Sequence, residues 1–236
     1  HLDGKDTFIS LHPETLAIEI ENSLRRLGTD YIDLYQTHWP SKEPDYTPIE
    51  DTMAFLMKLK DEGKIRAIGV SNVSLPQLKE YCDAGDLVSD QFRYSILFRD
   101  AEKEILPYCK EKNLATLTYM SLEQGLLSGK VGMDRVFDPN EFRSNEDWNP
   151  WFKLKNRQMV LDMLADWKPL TEKYDCSLAQ LVIAWTAAQS GVTHVLCGMR
   201  TAEQAEQNAQ AGALSIEPED LAKMRQDALN LGEPAS

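Results

Sequence analysis

The chain is poor in positive charge. It carries 25 Lys and Arg against 38 Asp and Glu, a formal net charge of −13 at pH 7. That deficit argues against nucleic acid or an anionic membrane surface as partner, while leaving room for a local basic pocket that holds a phosphate. Long apolar runs are missing too. No stretch approaches the ~20 residues of a transmembrane helix, and the N-terminal residues lack the apolar core of a signal peptide. Cysteine is sparse. Cys82, Cys109, Cys176 and Cys197 show no C-x-x-C spacing. They predict reduced, buried thiols, two in helices and one in a strand, which fits a cytoplasmic protein. Hairpin signals and low-complexity linkers are absent, so residues 1–236 are read as one domain.

What is present is an ordinary globular composition, 42% hydrophobic and 27% charged. A chain of 236 residues suits a single α/β barrel or a doubly wound sheet. After a polar loop over 1–10, Pro13 opens a helix with Leu16, Ile20, Leu24 and Leu27 at helical spacing, and Gly28 ends it. A strand follows at 31–36. Pro48 and Glu50 start a helix that stops at Gly63, and the next strand is 65–70. Ser74 caps a helix with Pro76 in its first turn. A third strand is expected over Gln91–Ser95, a helix over 100–112 and a strand over 115–119. Helices at about 159–174 and 178–189 precede a strand over Val195–Cys197 and helices from Thr201 and Pro218. Short β–α–β units of this kind imply parallel strands with right-handed crossovers. About five strands are found, where a closed parallel barrel needs eight.

The segment 128–157 is too long for a plain connection. It holds Phe137, Phe142, Trp148, Trp151 and Phe152. These aromatics read equally well as a cover for an apolar ligand and as a lid packing on its own side chains.

The order of motifs is specific. Ser23–Pro40, reading SLRRLGTDYIDLYQTHWP, resembles the segment that carries the active-site histidine of aldo-keto reductases. Gly69-Val70-Ser71-Asn72 is similar to that family's next strand end, and Gln91 with Tyr94 and Ser95 to the one after. Tyr119–Lys130, reading YMSLEQGLLSGK, resembles the cofactor loop that follows the seventh strand, with Met120-Ser121 in place of the commoner Ser-Pro. Gly198-Met199-Arg200, with Gln204, Gln207 and Asn208, resembles the adenosine end of the cofactor site, Gln207 standing where the family often has Glu. The match runs from about residue 10 to residue 231.

The resemblance implies a (β/α)8 TIM-type barrel, apparently without its first three strands, that reduces aldehydes or ketones with NADP(H). It places His38 at a strand end, donating a hydrogen bond to a substrate carbonyl. On local sequence alone a strand-end histidine is more often structural. Ser71, Asn72 and Gln91 would bond the nicotinamide carboxamide, and Tyr119 would stack on the nicotinamide ring. Leu122, Gln124, Gly125, Leu126, Ser128 and Lys130 would form the loop over the cofactor. Arg200, just before a helix N-terminus, would clamp the extra phosphate of NADP(H). Gln204 and Asn208, one helical turn apart, would reach the adenine.

The family's chemistry also needs a tyrosine acid tuned by a lysine and an aspartate. No such set is found here. Residues 1–30 contain Asp3, Lys5, Asp6 and Asp30, none at the end of a recognisable strand. Tyr35 lies three residues from His38, and strand alternation points it to the other face. Impaired catalysis is therefore expected, with a silent nucleotide-binding or regulatory subunit as the alternative. An open barrel would leave the strands 31–36 and 195–197 as apolar edges. The chain is then expected to self-associate, to recruit its missing part, or to fill the gap with its own N-terminal residues or the 128–157 loop.

Overall fold

Pro13 decides where the first helix begins. It occupies the first position of α1 (Pro13–Leu27), where its missing N–H is no loss and its fixed φ suits the turn. The His12 ring accepts a hydrogen bond from the Glu14 amide, and Gly28 closes the far end at φ 69°. Leu16, Ile20 and Leu24 form its buried stripe. The structure is a computed structural model that describes residues 9–235. Asp3, Lys5 and Asp6, and most of the loop expected over 1–10, lie outside the described residues.

Strands and helices then alternate as β1 (Ile32–Thr37), α2 (Ile49–Asp61), β2 (Ile65–Ser71), α3 (Leu75–Ala84), β3 (Leu87–Arg93), α4 (Ile105–Glu111) and β4 (Ala115–Tyr119). They continue through α5 (Leu154–Asp166), α6 (Lys168–Lys173), α7 (Leu178–Ala187), β5 (His194–Val195), α8 (Ala202–Ala211) and α9 (Pro218–Asn230). Among the described residues the strands number five and neighbour one another in chain order. Both β1–β2 and β2–β3 are parallel.

Some boundaries differ from those expected. Strand β3 starts at Leu87, four residues before Gln91, and β5 is only two residues long, leaving Cys197 outside it. The helix expected over 159–174 is two helices, because Pro169 in the first turn of α6 has no N–H to continue α5. All four thiols are free, but only Cys109 is fully buried.

The described chain divides into two compact units, residues 9–92 with 101–117, and residues 93–100 with 118–235. In the first, Met53 and Leu56 of α2, Ile65 and Ile68 of β2, Leu78 and Tyr81 of α3, and Cys109 of α4 form one buried cluster. Ser74 and Gln77 close a reciprocal capping box at the start of α3. Among the described residues strand β1 has one strand neighbour, and a hollow of about 210 Å³ is lined by Ile9, Leu11, Glu19, Tyr35 and His38 among others.

The register in this unit sorts the two faces of the sheet. Strands β1 and β2 run in step, with Gln36 beside Gly69 and Thr37 beside Val70. Between β2 and β3 the step changes: Ile68 faces Leu87, but Gly69 faces Ser89. Val88 is passed over and left 38% exposed. One row across the sheet is then Gln36, Gly69 and Ser89, and the next is Thr37, Val70 and Asp90. Alternation sends the second row toward the helices. Thr37, Val70 and Asp90 are all buried.

The second unit is organised by α7, whose residues from Leu181 to Thr186 are all buried, as expected for a helix apolar all round. Trp185 of α7 donates its indole N–H to the Leu221 carbonyl of α9, and Trp167 donates to Asp227 at 2.8 Å. Tyr94 stacks on Trp185 at 6.4 Å, a packing role. In the long segment, Phe142 meets Trp148 edge-on at 4.1 Å and Phe137 meets Phe152 at 5.4 Å. The buried Arg157 donates to the carbonyls of Phe152 (2.8 Å) and Arg135 (2.9 Å). These ring contacts lie within the segment itself, while Trp148 also meets the Arg93 guanidinium.

Asp90 is anomalous in the helix-facing row. It is 1% exposed, and neither carboxylate oxygen has a full hydrogen-bond partner. Burial pushes its carboxyl up to about 7, offset in part by the Gln91 amide. Cys82 of α3 and Cys109 of α4 lie near enough to feel its charge, and burial raises both thiols. The folded chain keeps the Asp90 proton to about pH 7, whereas an unfolded chain releases it near pH ~4. This contribution to stability is therefore complete below pH ~4 and is lost as pH rises toward 7. Asp90→Asn is expected to match the wild type near pH 4 and to exceed it by on the order of a few kcal/mol near pH 8, measured by urea unfolding. A difference that does not vary with pH would show that the carboxyl ionises freely in the folded chain.

Candidate functional site

In the first unit the ends of β1, β2 and β3 are tied together by side chains from the sequence motifs. Asn72 adopts φ 59°, a left-handed conformation that Asn tolerates better than most residues. Its backbone N–H donates to the Gln91 carbonyl at 3.0 Å. Its side-chain amide donates to the His38 carbonyl at 2.9 Å and to Ser71 Oγ at 3.0 Å. Ser71 Oγ in turn donates to the Gln91 carbonyl at 2.8 Å. Thus His38, Ser71, Asn72 and Gln91 are brought to one place. The His38 ring is exposed and tilts against Trp39 at 6.1 Å. Tyr35 packs against the helix-side core, its hydroxyl pushed up to about 12 by burial first and Glu19 second, against a smaller opposite pull from Arg26.

Sequence reasoning missed Gln36 here. Its side-chain N–H donates to Gln91 Oε1 at 3.0 Å, and its Oε1 accepts from Ser89 Oγ at 3.3 Å. Gly69 lies between them, and a Cβ there would fall 2.4 Å from Ser89 Oγ and 2.7 Å from Gln36 Cγ. The only earlier signal was a glycine inside a strand, which marks a close approach.

In the second unit a cleft of about 660 Å³ is bordered by the loop after β4 and by the segment from β5 into α8. Met120, Leu122, Gln124, Gly125, Ser128 and Lys130 line one side. Gly198, Met199, Arg200, Gln204, Gln207 and Asn208 line the other. Tyr119 and Leu126 are not in this lining, and Leu126 is fully buried beneath it. Thr201 caps α8 by accepting from the Gln204 amide, and Gln204 Oε1 accepts from the Arg200 amide at 2.6 Å. The Asn208 side chain reaches back to the Gly198 carbonyl at 3.5 Å, while Gln207 is held along the helix by Glu203 at 3.1 Å. Two cations that sequence reasoning overlooked, Arg135 and Arg143, join Lys130 and Arg200 around the cleft. They come from the long segment, where no periodicity predicts direction. Four cations beside a helix N-terminus favour an anionic ligand such as a phosphate.

The loop after β4 is unusual in its backbone. Met120, Glu123, Gln124 and Gly125 have φ of 60°, 43°, 52° and 96°. Each non-glycine left-handed residue costs on the order of 1–3 kcal/mol unless its surroundings hold it. Among the described residues, no cluster of three or more His, Cys, Asp or Glu suits a metal ion, and no helix is long and apolar enough to cross a membrane.

The comparisons with known proteins agree with one another. The sequence pattern of the Aldo/keto reductase family matches residues 9–228. The chain is 41% identical over 224 residues to an NADH-specific methylglyoxal reductase of Escherichia coli (strain K12), covering 95% of this chain and 67% of that protein. It is 36% identical over 222 residues to aldo-keto reductase YhdN of Bacillus subtilis (strain 168), covering 93% of this chain and 65% of that one. Among solved structures, the glycerol dehydrogenase AKR11B4 of Gluconobacter oxydans superposes with a TM-score of 0.88 at 32% identity, over 100% of this chain and 69% of that one. The chain thus spans about two thirds of the length of these relatives.

The close approach at Gly69 gives a test of the first unit's geometry. Gly69→Ala is expected to displace Gln36 and cost about 1–3 kcal/mol, read from the urea midpoint. Wild-type stability would mean that Gln36 and Ser89 can yield without loss.

Proposed function

Because the chain belongs to the aldo/keto reductase family, we propose that it binds NADP(H) and takes part in reducing small aldehydes or ketones to alcohols. The family uses nicotinamide cofactors on small carbonyl substrates. The observation that carries the finer reading is the cleft with its four cations, Lys130, Arg135, Arg143 and Arg200. Arg200 is exposed just before α8, which supports assigning it to a phosphate on the adenosine ribose. Gln204 and Asn208 offer amides to an adenine. In the first unit, taken by itself, Ser71, Asn72 and Gln91 offer hydroxyl and amide groups of the kind that suit a carboxamide.

When bound, the nicotinamide supplies hydride to a carbonyl carbon. His38 donates a hydrogen bond to the carbonyl oxygen and so favours the charge that develops there. Among the described residues, Tyr35 is not placed to give the proton that completes the alcohol: it packs on the helix side with its hydroxyl pushed up to about 12. That observation favours a second reading, a nucleotide-binding subunit with little catalysis of its own.

Calorimetric titration separates the cofactor readings. NADPH is expected to bind more tightly than NADH, and Arg200→Ala to remove most of that preference, about 1–3 kcal/mol. Equal affinities, or a preference for NADH as the name of the E. coli relative states for that protein, would overturn the NADP(H) reading. Turnover with methylglyoxal or other aldehydes is expected to lie about 10²–10⁴-fold below that of a reductase with a positioned acid. His38→Ala should then add little further loss, because such groups act as a unit. Ordinary reductase turnover by this chain would show that another group supplies the proton.

A further inference from the structure

The strained loop beside the cleft rests on a charge that the reading so far has not used. Glu123 is fully buried, yet it is a carboxylate. Its Oε2 accepts from Arg93 Nη2 at 2.5 Å and from Asn149 Nδ2 at 3.0 Å. Its Oε1 accepts from Ser95 Oγ at 2.7 Å and from Arg93 Nε at 3.4 Å. The Arg93 guanidinium lies against two rings, 4.4 Å from the centre of Phe98 and 4.9 Å from that of Trp148. Asn149, itself 1% exposed, uses its Oδ1 to cap the turn Pro150–Phe152. From the same segment Arg143, paired with Glu141, donates to the Gln124 carbonyl at 3.4 Å. Three stretches of chain, 93–98, 120–129 and 141–152, therefore converge on one carboxylate.

We propose that Glu123 is the positioning residue of the cleft: by holding Arg93 and Asn149 it fixes the left-handed turn Glu123-Gln124-Gly125 and ties the aromatic segment, with Arg143, to the cleft wall. The consequence for affinity rests on the reading of the cleft as the cofactor site. A buried carboxylate with four donors is favourable only while all of them stay in place, since removing one partner leaves an uncompensated charge. The turn and the cations of the long segment are thus set together.

The test removes one donor and leaves the carboxylate buried. Asn149→Leu keeps the side-chain size but takes away the amide from which Glu123 accepts. NADP+ affinity by calorimetry should fall roughly tenfold. Amide-exchange protection of residues 124–129 and 141–149, measured without cofactor, should fall in parallel, while the buried stretch of α7, residues 181–186, keeps its protection. Glu123→Gln, which removes the charge that Arg93 pairs with, should lose both in the same places. Wild-type protection of 124–129 and 141–149 in both variants, or a loss spread equally to α7, overturns the proposal. If the wild-type chain binds neither NADP+ nor NAD+, the cofactor reading of the cleft falls, and the protection factors alone decide the role of Glu123.

Discussion

The passing-over of Val88 is the constraint from which the first unit's arrangement follows. With β3 in step with β2 throughout, Asp90 would sit beside Ser71, and Gln91 would fall in the row that faces the helices. The change of step between Ile68 and Gly69 exchanges them. Gln91 then shares a row with Ser71 and takes hydrogen bonds from Gln36, Ser71 and Asn72. Asp90 is the residue displaced, carried into a layer of Val70, Cys82 and Cys109 that offers it no full partner. The polar network at the strand ends and the unsatisfied acid behind it are two results of one register shift.

The two buried acids, Asp90 and Glu123, show how little burial alone says about a charged group. Glu123 is as buried as Asp90 but meets an arginine, a hydroxyl and an amide, each donating. It organises three stretches of backbone around itself. Asp90 meets sulfur and hydrocarbon, and its carboxyl is pushed up instead. In the low-dielectric interior a carboxylate either gathers donors or gives up its charge. Among the described residues Glu123 shows the first outcome and Asp90 the second, each within its own compact unit.

The sequence made most helices legible, because apolar spacing and end signals agreed: Pro13 with Gly28, and Ser74 with Gln77. It made the order of the site motifs legible too, since they occur near strand ends and in loops with distinctive glycines. It placed the start of β3 badly. Ser89 and Asp90 are weak strand formers, and Asp90 breaks the apolar pattern that a helix-facing row should show. Gln36 was invisible because its role depends on pairing with Ser89 and Gln91 across three strands. Arg135 and Arg143 were invisible because a long segment without periodicity gives no direction to its side chains. Leu126 was assigned to the cofactor loop by its place in a motif, and its side chain is buried.

The cleft draws its lining from residues 120–143 and 179–208 alone. On the proposed reading, the groups that would discriminate one nucleotide from another lie on those two stretches, while His38 and the strand-end polar network lie on the chain before residue 92. For an evolving gene this is a separation of concerns. On that same reading, mutation or recombination within the later segment would retune which dinucleotide is held, and selection on the earlier segment would change which carbonyl is met, with neither search obliged to wait for the other.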